Sequence, residues 1–146
     1  MLQLKIKRLT ESAKLPSKGS EQAAGLDLYA DTDKPIIIMP GRSYKFPTGI
    51  AITPPNSYFA AIFARSGLAI KQGLRPCNAV GVIDEDYTGE VIVALYNDST
   101  ESQIVQPHER IAQLVLLPYI NVDIQEVKEL DKTERGEGGF GSTGKL

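Results

Sequence analysis

One cysteine, Cys77, and one histidine, His108, are all that 146 residues supply of the side chains most used in transition-metal sites. A single thiol closes no intramolecular disulfide, so a reducing compartment is expected, cytoplasmic or otherwise intracellular, with Cys77 a buried structural thiol. These two residues cannot build a tetrahedral Cys/His zinc site. A Ser-His-Asp triad would have to use His108, and no G-x-S-x-G elbow is present to supply its nucleophile. No run approaches the ~18 apolar residues of a membrane span. Lys5, Lys7, Arg8, Glu11 and Lys14 break the apolar stretch that a secretory signal requires. Charge of one sign is lacking too. A net charge of -2 gives no general attraction for a nucleic acid polymer, so an anionic ligand must be held by locally placed cations.

What the chain does have is short apolar runs between turns. Leu2, Leu4 and Ile6 alternate with polar residues, the period of a half-buried strand. Runs at Leu26 to Ala30, Ile36 to Met39, Gly49 to Thr53, Tyr58 to Ala64, Glu90 to Asn97 and Ile111 to Tyr119 are separated by turn signals such as Pro40-Gly41, Pro47-Thr48-Gly49 and Pro54-Pro55-Asn56. This spacing predicts an all-β sandwich, jelly roll or barrel in one domain. One helical turn is expected over Ser66 to Gln72, with Ser66 as N-cap and Gly73 as stop. Both faces of Glu90 to Asn97 are apolar, which places that strand between two layers or at a subunit interface.

Five segments carry groups that plain β structure does not need. In Ala24-Gly25-Leu26-Asp27-Leu28-Tyr29-Ala30 a carboxylate interrupts an apolar strand, so Asp27 must meet a cation, backbone donors, water or a metal. Arg65-Ser66-Gly67 stands where a strand enters the helical turn, so a fixed cation and free N–H groups could seat a phosphate. Asn78 to Glu90 reads as a β-hairpin with Asp84, Glu85 and Asp86 at its tip. Its backbone and Asn78 could hydrogen-bond a planar base while one carboxylate orients a water. Arg110 to Val115 places Gln113 in a strand, where it could reach a phosphate or face solvent.

The fifth segment is Arg135-Gly136-Glu137-Gly138-Gly139-Phe140-Gly141-Ser142-Thr143-Gly144-Lys145. Glycine can point successive N–H groups at an anion, Arg135, Ser142 and Thr143 add donors, and Phe140 offers one flat face. Gly139 to Lys145 also fits the spacing G-x-x-x-x-G-K, but a phosphate-binding loop of that kind needs a hydroxyl residue after the lysine, and Leu146 follows Lys145.

In order and wording the five segments resemble the five motifs of the trimeric deoxyuridine triphosphatases. The resemblance implies a jelly-roll-like β-barrel or sandwich over 1–130 with one short helix, a flexible arm over 131–146 that closes over the active site, and a homotrimer with shared sites. It implies Mg²⁺-dependent hydrolysis of dUTP to dUMP and pyrophosphate, which limits uracil in DNA and supplies dUMP for thymidylate synthesis. By position, Asp84 would orient the attacking water and Tyr87 would pack on the deoxyribose. Asn78 and the hairpin backbone at Val82 and Ile83 would read uracil. Arg65, Ser66, Gly67 and Gln113 would hold the phosphate chain, Phe140 with Gly141 would cover uracil, and Arg135, Ser142 and Thr143 would grip the terminal phosphate. Asp27 would lie near the metal. Thr88 and His108-Glu109 depart from the family, which often has arginine at the first place and Gly-Asp at the second. Two rival classes are a deoxycytidine triphosphate deaminase, with Glu85 or Glu90 attacking the base, and a non-catalytic nucleotide-binding regulator.

Overall fold

Residues 2–139, which the computed structural model describes, form in chain order β1 (Lys5–Arg8), β2 (Ser17–Lys18), β3 (Leu26–Tyr29), β4 (Ile36–Ile38), β5 (Ser43–Thr53) and β6 (Tyr58–Phe63). There follow α1 (Ser66–Gln72), β7 (Leu74–Pro76), β8 (Gly81–Ile83), β9 (Glu90–Asn97), β10 (Gln103–Val105) and β11 (Arg110–Pro118). The strands make a four-stranded sheet of order β1-β5-β9-β7, a five-stranded sheet of order β2-β3-β11-β6-β8, and a β10-β4 pair. The expected all-β class with one short helix is what forms. No helix among the described residues is long and apolar enough to cross a membrane.

Alternation along the strands builds the core. Val91, Val93 and Leu95 of β9 and Phe46, Ile50 and Ile52 of β5 share one buried cluster with Leu28, Ala60, Ile62 and Leu114 from the five-stranded sheet. Each fully buried side chain of this size contributes about 1.5–3 kcal/mol. The opposite face of β9 is not covered by a second layer: Ile92 is 42% exposed. Asn97, fully buried at the end of β9, satisfies its whole amide. Its Nδ2 donates to the carbonyls of Ile38 at 2.8 Å and Glu101 at 2.7 Å, while its Oδ1 accepts from Ser99 N and Oγ.

Several local expectations are corrected. The helix begins after Arg65, which takes the N-cap position without a side-chain cap, so Ser66 is the first helical residue. Gly73 does stop the helix, in the left-handed conformation at φ 66°. The segment Pro47-Thr48-Gly49 is a bulge inside β5, not a turn, and the register against β9 jumps between Pro47 and Ala51. Gly49 is needed there: its φ is 66°, and a Cβ would collide with the Asp31 carboxylate. Cys77 is exposed, because it falls in the turn just after the buried Pro76. The expected hairpin is a crossover. β8 pairs with β6 and β9 pairs with β5 and β7, so the loop between β8 and β9 passes from one sheet to the other.

Candidate active site

Three adjacent strands deliver the first half of the site. On the central strand β11, Gln113 pairs with Asp27 of β3 on one side and with Phe63 of β6 on the other. Two residues beyond Phe63 the chain turns into α1 through Arg65. The result is a cavity lined by Gly25, Asp27, Arg65, Ser66, Arg110 and Gln113, among others. Asp27 has only 12% of its side chain exposed and is neutralised by two guanidinium groups. Arg65 Nε donates to its Oδ1 at 2.8 Å, and Arg110 Nη1 donates to its Oδ2 at 3.2 Å. Arg65 also donates to the Arg110 carbonyl at 3.3 Å. A guanidinium has five N–H donors, so both arginines keep donors for a ligand. Gln113 Nε2 donates to the Ala64 carbonyl at 2.9 Å, which leaves its Oε1 beside Gly25.

Arg110 is a residue that the sequence reading did not place in the site. In a regular strand residues three apart face opposite sides, which would separate Arg110 from Gln113. The register of β11 against β3 shifts between Arg110 and Ala112, however, and Ile111 and Ala112 are both buried. That bulge brings Arg110 and Gln113 to one cavity.

Asp27 does not fit a metal as a direct ligand. Both of its oxygens accept from arginine, and two fixed positive charges beside it oppose a cation. No group of three or more His, Cys, Asp or Glu among the described residues could hold an ion. A metal ion that arrived on phosphate oxygens and kept its waters would need no such group.

The second half of the site is the loop from Asp84 to Gly89. It follows β8, the outermost strand of its sheet, whose outer backbone edge at Gly81, Val82 and Ile83 has no strand beside it among the described residues and could hydrogen-bond a planar base. Asn78 is exposed beside that edge, and a Cβ added to Gly81 would lie 3.5 Å from its Nδ2. Tyr87 folds back over Gly89 and donates to the Glu90 carbonyl at 3.0 Å, leaving the side chain 44% exposed. Among the acidic residues here, Glu90 accepts from Gly49 N at 2.8 Å and Glu85 accepts from Ser57 N at 2.6 Å. Asp84 stays exposed and lines a second cavity with Phe59, Val82, Glu85, Asp86 and Tyr119. Desolvation, and then the hydrogen bond and charge of Glu85, raise the Tyr119 hydroxyl above the ordinary tyrosine value.

The two halves do not meet within one chain. Ile83 pairs with Ala60, so Asp84 lies level with Phe59, whereas Arg65 lies six residues further along the same chain. At ~3.3 Å per residue these positions are about 20 Å apart. The two cavities share no residue. Arg135 is in neither cavity: its Nε donates to the Gly138 carbonyl at 2.8 Å, in a turn of its own. Phe140, Gly141, Ser142 and Thr143 lie outside the described residues.

Comparison with known proteins assigns the family. The family model described as dUTPase matches residues 11–144. The deoxyuridine 5'-triphosphate nucleotidohydrolase of Syntrophotalea carbinolica is 45% identical over 141 residues, covering 97% of this chain and 96% of that protein. Its counterpart from Nautilia profundicola is 46% identical over 144 residues, covering 99% of this chain and 100% of that protein. A Staphylococcus bacteriophage 80alpha dUTPase solved with dUpNHpp superposes with a TM-score of 0.84 at 26% identity, covering 97% of this chain and 98% of that one. The chain belongs to the dUTPase family.

Proposed function

We propose that the protein hydrolyses dUTP to dUMP and pyrophosphate, with water attacking the α-phosphate and Mg²⁺ entering as part of the nucleotide. The observation that carries this reading is the division of labour between the two half-sites: a two-arginine cavity for phosphate and a free sheet edge for a base, beside an uncommitted carboxylate. The ~20 Å between them within one chain supports a homotrimer in which one copy's Asp84 loop faces another copy's Asp27 cavity. The apolar outer face of β9 at Ile92 supports burial against a second copy.

In such a site Asp84 accepts the proton of the attacking water, and its exposure keeps it available as a base. Arg65, Arg110 and Gln113, held by Asp27 and the Ala64 carbonyl, align the phosphate chain. Their donors are set before the reaction and stabilise charge that moves onto phosphate oxygens. A magnesium ion bound to the triphosphate would supply further charge neutralisation there. The edge of β8 reads uracil, and its rigid backbone excludes a C5 methyl by collision, where a soft apolar pocket discriminates by only about 1–3 kcal/mol. Residues 131–146 act as an arm that brings Arg135, Phe140, Gly141, Ser142 and Thr143 over the bound nucleotide.

The deaminase reading is disfavoured, since Glu85 and Glu90, the carboxylates it would use, are both engaged with backbone N–H groups. Pyrophosphate release from dUTP, dTTP, dCTP and UTP, compared side by side with Mg²⁺ while ammonia is monitored, tests the proposal. Release from dUTP alone is expected. Ammonia from dCTP, or equal release from all four, would overturn it.

A further inference from the structure

The catalytic loop is poorly held by the sheet that presents it. β8 has three residues, lies at a sheet edge, and its last pair with β6 is Ile83 with Ala60. Asp84 is therefore the first residue beyond the ladder. Among the described residues, the one loop backbone hydrogen bond that holds it is the turn bond from Tyr87 N to the Asp84 carbonyl, at 3.2 Å. A general base must be fixed to within roughly half an ångström, so some other contact has to anchor the loop.

The neighbouring residue supplies it. The Glu85 carboxylate reaches across to the turn between β5 and β6 and accepts from Ser57 N at 2.6 Å. Ser57 has a φ of 63°, a left-handed conformation that is unfavourable for a non-glycine residue and that aims its N–H at the loop. The same turn is tied to the end of β11, because Tyr119 N donates to the Ser57 carbonyl at 3.0 Å. The Tyr119 side chain borders the same cavity as Asp84 and Glu85. The turn that holds the Glu85 carboxylate is thus itself tied to the end of β11.

We propose that Glu85, clasped by the Ser57 N–H, is a positioning residue that fixes the Asp84 carboxylate for attack. This rests on the reading of Asp84 as the base. Glu85 acts through its reach and its acceptor oxygen, not through its charge. Glutamine keeps both the reach and an acceptor, whereas aspartate keeps the charge and is one methylene too short.

The test compares variants of the full-length protein in steady-state turnover of dUTP with Mg²⁺, alongside thermal melting. Glu85→Ala and Glu85→Asp are expected to lower kcat about ten- to a hundredfold, the range for a misplaced catalytic group, with KM for dUTP within twofold of wild type. Glu85→Gln is expected to recover kcat to within about threefold of wild type. Should Glu85→Ala fail to fold, the opposition of Glu85→Asp and Glu85→Gln still decides. Wild-type kcat in Glu85→Asp, or a loss in Glu85→Gln equal to that in Glu85→Asp, overturns the clasp. Full turnover in Asp84→Asn would instead sink the underlying assignment of the base, so the two failures are distinct.

Discussion

Gly25 of the loop before β3 and Gln113 of β11 are so closely apposed that a methyl group at position 25 would sit 2.5 Å from Gln113 Oε1. The position is not a turn requirement, since Gly25 has no left-handed φ; what matters is space. Gly25→Ala must push Gln113 out of its bond to the Ala64 carbonyl and away from the phosphate cavity. Loss of one such hydrogen bond corresponds to about 1.4 kcal/mol, or tenfold. We expect KM for dUTP to rise about tenfold by that conversion, with little change in melting temperature. Unchanged KM would show that Gln113 does not touch substrate.

Asp27 is expected to behave as the partner of two arginines and not as a metal ligand. Asp27→Asn leaves Arg65 and Arg110 side by side with their charges no longer cancelled. Because both arginines are partly exposed, solvent screens part of the cost, and a destabilisation of about 1–3 kcal/mol is expected. Activity should fall with it. Raising Mg²⁺ in the assay should not restore that activity, whereas a direct ligand weakened by amidation would be rescued by mass action. Recovery of turnover at high Mg²⁺ would return Asp27 to the metal.

Much of this was legible in the chain, and what was not has physical causes. Long apolar strands such as β9 and β11 declare themselves, because eight or nine residues rich in β-branched and aliphatic side chains stand between turn signals. β2, β7, β8 and β10 have two or three residues each, too few to show a period. An apolar flank, an acidic turn and a second apolar flank look the same whether the chain doubles back or crosses between sheets. Sequence therefore predicted a hairpin where β8 and β9 belong to different sheets. Arg110 was hidden by the bulge at Ile111, and Glu85 by a partner, Ser57, 28 residues away. Asp27 was legible as a group in need of a partner, while the choice among a cation, backbone donors, water and a metal was not, because both arginines reach it from other elements.

Asn97 is expected to be a structural keystone without a catalytic part. Its amide joins β4, the turn after β9 and Ser99, and no other described side chain replaces it. Asn97→Ala takes the side-chain donor from the Ile38 carbonyl and the acceptor from Ser99 N, while the Glu101 carbonyl keeps Ser99 Oγ at 3.0 Å; each group left unsatisfied costs about 1–3 kcal/mol. A loss of about 3 kcal/mol or more in urea unfolding is predicted on that basis. The kcat per folded molecule should hold. A variant of wild-type stability would mean that water fills the space unaided.

His108 is strained as well as unusual. Its φ is 59°, its Nδ1 is buried without a hydrogen-bond partner, and glycine would adopt this backbone without penalty. His108→Gly should raise stability by about 1 kcal/mol, the left-handed cost less the entropy of an added glycine. Its site borders a cavity with Asp31 and Thr32, apart from both half-sites, so activity should not change. A fall in melting temperature would show that the imidazole has a partner in the assembled protein.

The sharpest prediction concerns the gap of about 20 Å between Asp84 and Arg65. If each site combines one copy's Asp84 with another copy's Arg65, then Asp84→Asn and Arg65→Ala chains damage different halves. Separately, each homotrimer is expected to be nearly inactive. After the two are mixed, unfolded and refolded together, a site that takes its base from an Arg65→Ala chain and its phosphate cradle from an Asp84→Asn chain is whole. At equal mixing about a quarter of sites meet that condition in a closed symmetric ring, so turnover should recover to about that fraction of wild type. Mixing without unfolding should give nothing until subunits exchange, which separates assembly from contamination. Were both halves contributed by the same copy, no mixture could contain an intact site, and the refolded sample would stay inactive.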